Sequence, residues 1–173
     1  MRIIEAAQVS PLLHARFSAR SRTYRYFIRC GQTAFAHQLP YCWHIRHEPD
    51  IEVLNRMADV LTGELDCTAF SAAGDQSKSK SRYLYGARFF FDGDCLVFEI
   101  SANAFLWRMV RSITGTLIRL EQRKGCKEDF ERILRSKDRR NAGETAPPQG
   151  LFLWSIDYPA ELLMPQAKPD SAG

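Results

Sequence analysis

The chain has 173 residues, 45% hydrophobic and 25% charged, with a formal net charge of +4, which fits one globular domain large enough to bury a core. No apolar run approaches the roughly 20 residues a bilayer crossing needs, and the opening "MRIIEAAQVS" lacks a signal peptide's apolar stretch, so a cytoplasmic protein with no membrane partner is expected. Five scattered cysteines without a C-x-x-C pair argue against a disulfide framework or a zinc site.

His44 and His47 lie three apart, but no cysteine or acidic residue stands in register with them, so no metal site is expected. The charge is unevenly placed. Residues 1–29 hold six arginines against Glu5, and residues 111–140 hold ten Lys/Arg against five Asp/Glu. Folding could merge the two basic segments into one polyanion-binding patch or leave them as separate solvated faces.

Residues 2–9 read as a short strand or a lead-in. Residues 22–30 read as a strand, with Tyr24, Tyr26 and Ile28 on one face and Arg25, Phe27 and Arg29 on the other. A turn-rich stretch runs from Gly31 to Pro49. Asp50 then reads as the N-cap of a helix carrying Leu54, Met57, Ala58 and Leu61 on one stripe and stopping at Gly63. "CTAFSAAG" (67–74) reads as a short strand, and the basic segment 74–82, "GDQSKSKSR", as a mobile loop.

"RYLYGARFFF" and "CLVFEISA" read as a hairpin joined at Asp92-Gly93-Asp94. Leu106, Met109, Val110, Ile113, Leu117 and Leu120 mark a long helix, and Phe130, Ile133 and Leu134 a second over 127–137. Leu151 to Tyr158 read as a last strand. The order predicts an α+β fold, a mostly antiparallel sheet with helices packed on one face, forming one domain over residues 1–160 with a disordered tail over 161–173.

Two residues stand out for function. Arg111 has Trp107, Thr114, Gly115 and Ile118 as helical neighbours, a setting that covers a guanidinium. It either meets a carboxylate or phosphate, or lies over Trp107 with its head in water. Tyr24, flanked by arginines, either packs in the core or stacks on a base while the arginines hold phosphates. No G-x-S-x-G, Gly-rich phosphate loop or H-E-x-x-H occurs. From the residues alone the chain is an α+β domain with the features of an RNA binder.

Four segments go further. "HARFSARSRTYRYFI" (14–28), "LTGELDCTAFSA" (61–72), "SANAFLWRMVRSITGTL" (101–117) and "GLFLWSIDYP" (150–159) resemble, in the same order, the second half of the TruA family of tRNA pseudouridine synthases. Those enzymes isomerise uridines in the anticodon arm, without metal or organic cofactor, as homodimers. The resemblance implies that Tyr24 packs against the target uracil, that Leu151 lines its pocket, and that Arg111 pairs with the catalytic aspartate. It implies tRNA contacts from Arg16, Arg20, Arg22, Arg25, Lys78, Lys80 and Arg82, with Tyr26 and Phe27 left to sheet packing.

The family's nucleophile, in an R-T-D-x-G-V-H-A signature, has no counterpart here, because none of the ten aspartates follows Arg-Thr. The chain therefore resembles a C-terminal half. Alone it is expected to lack isomerase activity and to expose a former interface around Tyr24, Trp107 and Leu151. A non-catalytic RNA-binding module is the alternative reading.

Overall fold

The computed structural model describes residues 3–164. Six strands form one mostly antiparallel sheet: β1 (Ser21–Cys30), β2 (Trp43–Ile45), β3 (Gly63–Asp66), β4 (Ser81–Asp92), β5 (Cys95–Ala102) and β6 (Leu151–Asp157). The helices are α1 (Ile51–Ala58), α2 (Met109–Gln122), α3 (Lys127–Ser136) and the single turn α4 (Ala160–Leu163). This is the α+β architecture expected. Among the described residues no helix is long and apolar enough to cross a membrane.

β1 is the spine. It pairs with β5 along one edge, while its other edge is shared by β6, antiparallel over Ser21–Tyr26, and β2, parallel over Ile28–Cys30. β4 and β3 extend the sheet beyond β5. Alternation on β1 and β5 sends Tyr26, Ile28, Phe98 and Ile100 into the core, where α1, α2 and α3 contribute Leu54, Met57, Ile113, Leu117 and Phe130. Those side chains meet because strand residues two apart share a face and helix residues three or four apart share a stripe.

Asp50 caps α1 as expected, accepting the N–H groups of Glu52 and Val53, but the helix ends at Ala58 instead of running to Gly63. Gly63, at φ +84°, opens β3. The strand expected at 67–74 is instead a 3-10 turn, Thr68–Phe70. Asp66 forms it by accepting both the N–H and the hydroxyl of Thr68, and a side chain that bonds its own next turn competes with strand pairing. Residues 3–10 have no strand. Residues 161–163, expected in the tail, lie in α4, and the rest of that tail from 165 is outside the described residues.

The two faces of the sheet differ. Opposite the helices, Arg25 stacks on Trp154 (4.0 Å) and reaches Phe90 (5.2 Å), while Phe27 meets Phe152 edge-on. Glu99 binds Arg25 and Arg88 at 2.6 and 2.8 Å. Phe27, Phe152 and Trp154, with Tyr41, line a groove of about 560 Å³.

Candidate functional site

At the end of the sheet where β1 begins, a cleft of about 680 Å³ opens between the loop 74–77, the segment leading into α2, and the strand residues Tyr24 and Leu151. Tyr24 is half-buried, its ring edge-on to Phe105 at 5.1 Å. Leu151 sits opposite Tyr26 in the β1–β6 register. An aromatic ring and an aliphatic side chain thus share one concave surface. Tyr24 packs against the core and also lines the cleft.

Arg111 directly follows Val110, the last α2 residue lining the cleft, and its position is set by backbone. Its Nε donates to the Ala146 carbonyl at 2.7 Å, while the Ala146 N–H donates to the Arg111 carbonyl at 3.1 Å. This double link is possible because α2 carries Gly115, where any Cβ would collide with the Glu144 carbonyl. Thr116 adds a bond from the Gly143 N–H at 2.9 Å.

Burial and the repulsion of Arg108 both push the Arg111 pKa down. No carboxylate among the described residues forms an ion pair with it. Neither sequence alternative is met in full: Arg111 bonds a carbonyl, and the guanidinium over Trp107 is that of Arg108, at 4.5 Å.

The loop 74–82, expected to be mobile, is braced. Asp75 is its anchor, with a side chain 4% exposed. Its carboxylate accepts from Lys80 Nζ (2.5 Å), the Ser77 N–H (2.9 Å) and the Trp107 N–H (2.5 Å). Burial by itself would raise its pKa, but these donors, Lys80 foremost, hold the carboxyl far below the usual range. The same bonds tie the loop to the start of α2. There Arg108 takes a left-handed conformation, φ +60°, which costs a non-glycine residue about 1–2 kcal/mol.

The other expected contacts divide. Arg16 lines the cleft, on a turn in which the His14 ring accepts the Arg16 and Phe17 N–H groups. Arg22 braces that turn, donating to the carbonyls of Arg16, Ala19 and Asn103. Arg20 is exposed and paired with Glu161. Lys78 is exposed on the loop, Lys80 is occupied by Asp75, and Arg82 bonds the carbonyls of Ser79 and Ser81. Arg25 stands apart from the cleft: residues adjacent in a strand point to opposite faces, so it lies on the far face, paired with Glu99 and stacked on Trp154. Phe105, Asp75 and Arg108 are cleft residues that sequence reasoning missed. An acid next to a glycine in an otherwise basic loop was a usable signal for Asp75; nothing local marked Arg108.

A family model described as tRNA pseudouridine synthase matches residues 57–159. The chain is 65% identical to a tRNA pseudouridine synthase A of Treponema denticola, over 99% of this chain and 63% of that protein. It is 59% identical to one of Treponema pallidum, over 83% and 51%, and 39% identical to one of a Thermoanaerobacter species, over 90% and 64%. The chain thus spans between about half and two-thirds of the length of these curated relatives.

Proposed function

This chain belongs to the tRNA pseudouridine synthase family, and on that premise we propose that it supplies the uracil pocket and much of the tRNA-binding surface of an enzyme that isomerises uridine to pseudouridine in the tRNA anticodon arm. The observation that carries the reading is the conjunction of Tyr24 and Leu151 in one cleft with a half-buried Arg111 held by Ala146 and joined to no carboxylate among the described residues.

A base inside a helical stem or stacked loop must leave its neighbours to reach such a cleft. Tyr24 then floors the ring and Leu151 walls it. Arg111, its Nε engaged by Ala146, presents its remaining N–H groups to a carboxylate contributed by another part of the enzyme. That carboxylate is the nucleophile in the reaction; Arg111 orients it and holds it ionised. Arg16 and Arg108 line the cleft, and Lys78 is exposed on the loop next to its lining residue Ser77, a set of positive charges suited to phosphates.

This chain by itself has no isomerase activity, and a segment bearing the aspartate completes it. Two copies associate through the aromatic groove on the far face of the sheet, where Tyr41 and Trp154 are 63% and 51% exposed. The site of action is the cytoplasm, where tRNA is processed; five free cysteines suit that reducing compartment.

Tritium release from tRNA labelled at uridine C5 tests the assignment. The chain alone should release none, and adding the N-terminal half of a relative in trans should restore release. Release by the chain alone would reassign the nucleophile to one of its own aspartates. No release in either arm, with salt-sensitive tRNA affinity retained, would leave the non-catalytic RNA-binding module.

A further inference from the structure

At the cleft rim, Trp107 is held from three directions and remains 52% exposed. Its backbone N–H is fixed by the buried Asp75 carboxylate. Its indole lies against Gly74, where a Cβ would come within 2.7 Å of Cζ3, so only glycine leaves room for the ring. Its remaining partner is the Arg108 guanidinium, 4.5 Å from the ring centroid.

Arg108 occupies a left-handed backbone position that glycine or asparagine would adopt more readily, and among the described residues it forms no ion pair. Its charge also bears on Arg111, so two guanidiniums stand near one another without an anion. A strained, exposed and unpaired arginine, stacked on an immobilised indole beside a base-sized cleft, has the form of a binding element. Among the described residues its side chain makes no hydrogen bond, and its part in the fold is the backbone carbonyl that accepts the Ser112 N–H at the start of α2.

We propose that the Trp107–Arg108 pair is a stacking step for the nucleobase that flanks the target uridine in single-stranded RNA. The flanking base lies on the guanidinium plane, which the indole backs, while the uridine enters the cleft. Flat stacking of this kind accepts any base, because every base has a π-face, so the step contributes affinity and positioning without reading sequence. The inference rests on the RNA reading above.

The probe is a single-stranded RNA heptamer with a central uridine and 2-aminopurine on its 5′ or its 3′ side, with fluorescence followed as the chain is added. One of the two placements should be quenched by the wild-type chain. Arg108→Gly should keep or raise the melting temperature, since the left-handed position suits glycine, while weakening the heptamer roughly 10-fold and abolishing the quench. Arg108→Lys should preserve the salt dependence of binding and still lose the quench, because an ammonium has no plane.

Unchanged affinity and quench in Arg108→Gly would overturn the proposal and leave the RNA reading standing. So would a quench retained in Arg108→Lys, or wild-type binding with neither placement quenched. Wild-type chain that binds neither heptamer nor tRNA at low salt would sink the RNA reading and this inference together.

Discussion

Arg111 and Ala146 hold each other through two hydrogen bonds, side chain to carbonyl at 2.7 Å and N–H to carbonyl at 3.1 Å. The arginine of α2 is therefore aimed by a loop 35 residues later in the chain, and the loop's fit depends on the absence of a side chain at Gly115.

Gly115→Ala follows directly. In an ordinary helix interior the substitution gains about 0.5–1 kcal/mol. Here the added methyl meets the Glu144 carbonyl, and either helix or loop must shift. We expect a net loss of about 2–3 kcal/mol in urea denaturation, with a new proteolytic cut within 142–147. A stabilised variant would show that the loop yields freely.

Arg111→Lys tests the aspartate partner. The loss of the planar fork and of the Nε bond to Ala146 should lower tritium release in the trans-complemented enzyme by on the order of 10²-fold. Its tRNA affinity should stay within about 2-fold, because one positive charge is retained. Equal loss of binding and turnover would assign Arg111 to the RNA instead.

Low pH should loosen the structure through Asp66 and Asp75. Hydrogen bonds from Thr68 and then Lys137 lower the Asp66 pKa to about 2, and Asp75 is held lower still against its own burial. Both folded values lie below the usual unfolded value of about 4. The stability these groups contribute is thus complete above pH ~4 and is lost as pH falls through the folded values, to about 2 for Asp66 and further for Asp75. Asp75→Asn should flatten the acid limb of a stability–pH curve and lower stability at pH 7 by about 1–3 kcal/mol. An acid limb identical to wild type would remove Asp75 from that account.

Tyr41→Glu tests the far-face groove. Tyr41 is 63% exposed, so the change should alter monomer stability by no more than about 0.5 kcal/mol, yet a buried charge at the contact should shift sedimentation toward monomer. An unshifted dimer would place the association elsewhere.

The secondary structure was legible wherever local pattern and burial agree. β1, the β4–β5 hairpin, α2 and α3 follow from alternation and helical stripes, because those same residues form the core. Misreadings fell where a side chain overrode the pattern: Asp66 turned Thr68–Phe70 into a 3-10 turn, and Asp75 converted a polar loop into a braced wall.

For the site, the sequence by itself determined the family segments, the absence of the aspartate signature, and the identities of Tyr24, Arg111 and Leu151. Only the tertiary structure decided that Tyr24 and Leu151 share a cleft, that Arg25 turns away to Glu99 and Trp154, and that Arg108 covers Trp107. Strand alternation sorts Arg25 and its neighbour Tyr24 to opposite faces, but which face carries the helices and the cleft depends on pairing among β1, β5 and β6. A left-handed arginine held over a tryptophan depends on Gly74 and Asp75, more than 30 residues away. Contacts at that separation form when the chain packs, and no local window of sequence contains them.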